Sequence, residues 1–163
     1  MKGVTHLGAG ALCGIALSAY ASLMPETAVV TTVCAMIGSV APDLDSETSI
    51  VGRVFFPVSW LASQIFGHRT FFHALLPWAS IMGILWLIFP QYPYYLAAAS
   101  AGLASHLALD LLNHTGVPLF WPIKAKISLG LCRSGGAIDK LLGRIFPALT
   151  GVMLAAYAVR LWS

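Results

Sequence analysis

Gly67-His68-Arg69-Thr70-Phe71-Phe72-His73 sets two imidazoles and a guanidinium at the threshold of an apolar run that continues to Phe89-Pro90. A hydrocarbon core is crossed by about 20 apolar residues, so polar groups at the mouth of such a run mark the start of a membrane-spanning helix. The five histidines, His6, His68, His73, His106 and His114, each stand beside a carboxylate or at an end of an apolar segment.

Working outward, the composition agrees with a bilayer setting. The 163 residues are 58% hydrophobic and 9% charged, with mean hydropathy +0.83, whereas a soluble domain carries about 25% charged residues. A net charge of +3 with no basic stripe gives no nucleic-acid surface. Cys13, Cys34 and Cys132 form no Cys-x-x-Cys pair, and their odd number argues against a closed disulfide framework, so they are read as reduced thiols.

The chain reads as one integral membrane domain, residues 1–163, an all-α polytopic bundle of about five spanning segments. The first runs from Val4 to Met24. Its Lys2 and Ala19-Tyr20-Ala21 imitate a secretory signal, but Gly10 and Gly14 have the small-xxx-small spacing of packed membrane helices, and the segment is read as retained. The second, Thr27 to Val40, is short for a span and stops at Pro42. After Asp43-Leu44-Asp45-Ser46-Glu47, the stretch Ile50 to Phe66 is interrupted by Arg53, Pro57, Ser59 and Gln64 and predicts an interfacial segment. The third span runs from Thr70 to Phe89, with a kink expected at Pro77. The fourth runs from Tyr94 to Leu112 and carries His106 and Asp110. A polar loop over 113–143, with His114 and Asp139 as loop residues, precedes the last span, Ile145 to Trp162.

Alternating spans place Lys2, Arg53, Arg69, Lys124, Lys126, Arg133, Lys140 and Arg144 on the side of Met1, and Arg160 alone on the other. The positive-inside rule makes the Met1 side cytoplasmic. The same alternation carries His6, Asp43, Asp45, His68, His73, His106 and Asp110 to that side, each at the matching end of its segment. Ionisable groups in apolar segments are costly and mark functional sites. His106 and Asp110, four apart, share a helix face and present a nitrogen and an oxygen to one ion. His68 and His73, five apart, diverge by about 140° on a continuous helix. Unless His68 lies before the helix begins, one of them is expected to bind a metal while the other donates a proton or contacts substrate.

The motifs Pro42-Asp43-Leu44-Asp45, Phe66-Gly67-His68-Arg69-Thr70-Phe71-Phe72-His73, Ser105-His106-Leu107-Ala108-Leu109-Asp110 and Thr115-Gly116-Val117-Pro118-Leu119-Phe120-Trp121-Pro122 make the chain resemble the YdjM family of LexA-binding, inner-membrane-associated, metal-dependent hydrolases. The resemblance implies a bacterial inner-membrane location, a divalent metal, hydrolase activity and an association with LexA. The chain departs from the family's common pattern at Ser46, where members often have histidine, at Phe72, where they often have threonine, and near Asp139, where they often have a glutamate. The order of histidines and aspartates is also similar to that of the zinc-dependent phospholipase C and nuclease group.

These readings converge on a membrane hydrolase with His6, Asp43, His68, His73, His106 and Asp110 as metal ligands. Zinc suits imidazole with carboxylate, and manganese or iron is compatible. Asp45 is the expected base or supporting carboxylate, and Arg69 the cation that offsets charge developing on a phosphoryl oxygen. A site at headgroup level beside Lys124 and Lys126 points to a phosphoester of an anionic membrane lipid. The rivals are a non-catalytic, LexA-associated scaffold, an intramembrane metalloprotease or amidase, which lacks His-Glu-x-x-His, and a metal transporter, whose polar residues should reach the midplane.

Overall fold

The computed structural model describes residues 1–67, 70–123 and 125–162, apart from the side chain of Phe66. His68, Arg69 and Lys124 therefore lie outside the described residues, and with them the expected roles of His68 and Arg69. The described residues form seven α-helices and no named strand. They are α1 (Gly3–Tyr20), α2 (Pro25–Val40), α3 (Ile50–Val54), α4 (Phe56–Phe66), α5 (Leu75–Ile88), α6 (Pro93–Leu111) and α7 (Ala137–Trp162). Proline opens α2 and α6, where its fixed φ suits a first turn and its missing N–H is no loss.

Among the described residues, three stretches are long and apolar enough to cross a membrane: α1, Pro25–Asp45 and α7. The second reaches 21 residues because α2 runs on into a 3-10 turn, Ala41–Asp45, which corrects its expected shortness. Helix α5 has 14 residues and α6 has 19. The stretch expected to be interfacial divides into α3 and α4, and Phe55 between them stands exposed with Phe56, Val58 and Trp60 of α4.

The pattern of burial is that of a protein whose outer solvent is lipid. Leu87 is 83% exposed on α5, while Thr5, Ser18, Thr31 and Ser39 are buried inside. Helix α1 packs on α2, α6 and α7, and α2 on α6. Only 6% of the α7 span is buried, against 44% of α1, so α7 lies at the periphery. Small residues make the inner contacts possible. A Cβ on Gly10 would stand 2.4 Å from Ser39 Oγ, and one on Gly102 would stand 1.9 Å from the Ala35 carbonyl oxygen.

Two expectations are corrected here. The third segment does not begin as a helix at Thr70: Phe71–His73 is a separate 3-10 turn and α5 starts at Leu75, so Pro77 lies in its first turn. There a proline leaves no intrahelical bond unmade, and the predicted kink has no cause. The last helix begins at Ala137 rather than Ile145. Asp139 is consequently not a loop residue. It is buried and accepts from Thr5 Oγ1 at 2.6 Å, Gly135 N at 2.6 Å and Lys2 N at 3.1 Å, fastening the start of α1 to the start of α7. His114 stays exposed in the loop.

That loop folds back onto the end of α6. The N–H groups of Leu129, Leu131 and Cys132 donate to the carbonyls of Leu111 and Leu112, which no helical turn would otherwise satisfy. It also seats the turn that carries His73: Leu75 N donates to the Leu119 carbonyl at 2.9 Å, and Phe71 meets Trp121 edge to face at 5.2 Å.

Candidate metal centre

Four elements converge at one end of the bundle. The end of α2 runs into Pro42-Asp43-Leu44-Asp45, whose turn is held by Ser49 Oγ donating to the Asp43 carbonyl at 2.8 Å and accepting from Gly52 N at 2.8 Å. The turn before α5 brings His73, with Trp78 Nε1 donating to the Phe72 carbonyl at 2.6 Å. Helix α6 brings His106 and Asp110 one turn apart, and α1 brings His6.

Four donor atoms close a ring. Asp43 Oδ1 is 3.7 Å from His73 Nε2, which is 3.6 Å from Asp110 Oδ2. Asp110 Oδ2 is 3.7 Å from His106 Nε2, which returns to Asp43 Oδ1 at 3.9 Å. These separations are long for hydrogen bonds. Two ligands of a tetrahedral ion at bond lengths of about 2.1 Å stand roughly 3.4 Å apart, close to the sides of this ring. His106 Nε2 and Asp110 Oδ2 are buried and make no hydrogen bond, an arrangement costly without a charged guest. Asp43, His73 and His106 offer one atom each within 4.8 Å of one another, and this set of imidazole nitrogens and a carboxylate oxygen has the donor chemistry of a zinc-like site, with Asp110 at its edge.

Groups behind the ring fix its orientation. His106 Nδ1 lies 2.7 Å from the Ser39 carbonyl, which sets the proton on Nδ1 and leaves Nε2 as the electron-pair donor. Asp45 Oδ2 lies 3.4 Å from His73 Nδ1 and is positioned to do the same for that ring. His6 stacks on His106 with ring centroids 3.9 Å apart, and its Nε2 is 3.4 Å from Asp110 Oδ1. The Met1 amine donates to that same oxygen. His6, His106 and Asp110 also offer one atom each within 4.8 Å of one another, so His6 is within reach of an ion held by the other two.

The electrostatics favour a cation. Burial pushes the His73 pKa down, but the Asp43 and Asp45 carboxylates beside it, with the charge of Asp110, overcome burial and raise it to about 9. Three carboxylates around one buried point favour positive charge there, which the raised His73 pKa registers as a proton.

The centre is nearly closed. His6, His73, His106, Asp45 and Asp110 are buried, and Asp43 is 14% exposed. Asp43 lines a cavity of about 400 Å³ together with Met1, Lys2, Ser46, Thr48 and Ser134. Of the residues proposed from sequence, His6, Asp43, Asp45, His73, His106 and Asp110 are brought together. The Ser39 carbonyl was missed, because a main-chain acceptor leaves no trace in residue type.

Comparison with known proteins places the chain among membrane proteins. The sequence model of the YdjM inner membrane protein family matches residues 1–162. YvsG of Bacillus subtilis (strain 168) is 31% identical over 159 residues, covering 96% of this chain and 92% of that protein. The inner membrane protein YdjM of Escherichia coli (strain K12) is 31% identical over 114 residues, covering 66% of this chain and 58% of the relative, and the Shigella flexneri protein matches equally. No solved structure matches.

Proposed function

The chain belongs to the YdjM inner membrane protein family, and on that premise we propose that it is a metal-dependent hydrolase acting on a phosphoester of an anionic membrane lipid. The observation that carries this reading is the ring of Asp43 Oδ1, His73 Nε2, Asp110 Oδ2 and His106 Nε2, buried except at Asp43, with Ser39 behind His106 and Asp45 behind His73. A divalent ion bound there would supply Lewis-acid polarisation of a phosphoryl oxygen and acidify a water.

The protein's own residues do the rest. Asp43 and Asp110 supply negative charge that offsets the ion. Ser39 and Asp45 hold the two imidazoles in the tautomer that leaves Nε2 facing the centre. Asp43, at the mouth, marks the direction from which substrate arrives. Hydrolysis forms a bond from a water oxygen to phosphorus, breaks the ester P–O bond and delivers a proton to the departing alkoxide. The excess of Lys and Arg on the Met1 side supports a cytoplasmic orientation for this end of the bundle.

The test is the metal content of detergent-purified protein beside a His106→Ala, Asp110→Ala double variant shown to remain helical, followed by phosphate or headgroup release from a panel of phospholipids. Stoichiometric metal lost in the variant, together with hydrolysis that follows the metal, is the expected result. No metal in either protein after incubation with zinc or manganese would reduce the cluster to a structural polar network and favour a scaffold.

A further inference from the structure

Two cavities share one wall, the segment 41–51. On one side Asp43, Ser46, Thr48 and Ser49 line the pocket that Lys2 and Ser134 complete. On the other, Ala41, Leu44 and Val51 line an apolar groove of about 410 Å³ completed by Phe55, Val58 and Trp78. The wall is thin, because Asp43 and Leu44 are neighbours in one tight turn, Asp43 lining the pocket and Leu44 the groove. Ile50 and Val51 divide in the same way.

The chemistry of the two sides differs. The pocket presents hydroxyls and the exposed Lys2 beside the metal centre, whereas the groove is apolar and its rim, Phe55 and Val58, is about half exposed among the lipid-facing side chains of α4. A free phosphate would occupy the pocket and leave the groove without a role. A zwitterionic headgroup would bring a cation of its own beside Lys2.

We infer that one anionic phospholipid straddles this wall, its phosphate headgroup in the pocket with Lys2 and the hydroxyls and an acyl chain in the groove behind Leu44. This deepens the hydrolase reading and rests on it for the fate of the headgroup, while the binding itself requires no catalysis. Leu44 and Val51 select for a chain, and Lys2 selects for charge.

The experiment uses the full chain in proteoliposomes doped with phosphatidic acid or phosphatidylcholine, each carrying a diazirine on one acyl chain. Photolabelled peptides are mapped and metal content is measured on the same samples. Expected is labelling concentrated on residues 37–58, about tenfold stronger for phosphatidic acid. Leu44→Trp should abolish it, Lys2→Glu should bring the two lipids close to parity, and added inorganic phosphate should not compete. Labelling spread evenly over α7 and the groove, or equal for both lipids in the parent, overturns the inference, as does competition by inorganic phosphate with no groove label. Headgroup-selective groove labelling in a protein that binds no metal supports the inference and overturns the hydrolase reading alone. Retained metal with even labelling overturns the inference alone.

Discussion

His106 Nδ1 lies 2.7 Å from the main-chain carbonyl of Ser39, a residue 67 positions earlier on a different helix. The contact exists because α2 and α6 approach closely enough for main chain to meet side chain. Gly102, one turn before His106, permits that approach, since a Cβ there would fall 1.9 Å from the Ala35 carbonyl oxygen. Gly102→Ala is therefore expected to force the helices apart, destabilise the fold by about 1–3 kcal/mol or more and weaken metal binding together with it. Thermal unfolding in detergent and metal titration check both. An unchanged melting temperature would show that the helices are not packed in this way.

Asp45→Asn tests the support behind His73. Asp45 Oδ2 faces His73 Nδ1 at 3.4 Å and is buried, so the amide keeps the shape while removing the charge. Outer partners of this kind contribute about 10–100-fold in metal affinity. A loss in that range with unchanged helicity is expected. Unaltered affinity would remove Asp45 from the centre.

Metal binding should be proton-linked. With His73 held near a pKa of about 9 by the surrounding carboxylates, the imidazole is protonated at neutral pH until a cation takes its place. Binding then releases a proton, and apparent affinity rises about tenfold per pH unit below that value, for one proton displaced. Calorimetry in buffers of different ionisation enthalpy measures the release. Affinity that does not change between about pH 6 and 8 would exclude His73 as a ligand.

Asp139→Ala separates stability from the centre. The carboxylate accepts from Thr5 Oγ1, Lys2 N and Gly135 N, none of which belongs to a residue of the ring. Losing it strands those donors and should lower stability by about 1–3 kcal/mol, the cost of leaving a buried hydrogen bond unmade. The melting temperature should fall while metal stoichiometry at saturation stays at the parent value. Loss of metal from a protein that is still folded would tie Asp139 to the site.

The apolar segments were legible because a bilayer demands length and hydropathy, which are properties of consecutive residues. Boundaries were less so. Pro77 signals a kink if the helix starts at Thr70 and an ordinary first turn if it starts at Leu75, and only the packing of Phe71–His73 under the 112–136 loop decides between them. Asp139 read as a loop residue because nothing local shows that α7 begins at Ala137 and meets α1 there.

From the sequence alone, His6, Asp43, His73, His106 and Asp110 were expected to gather at one end of the bundle, an expectation that rested on five spans alternating in direction. The tertiary structure alone decided which atoms face one another: Nε2 of His106 inward and Nδ1 on Ser39, Oδ2 of Asp110 toward the ring and Oδ1 toward His6. The reason is physical. Hydropathy sets where a helix lies in the membrane, but its rotation and its distance from a neighbour are fixed by contacts between small residues such as Gly10 and Gly102 and the backbone they admit, and those contacts join parts of the chain that no local pattern connects.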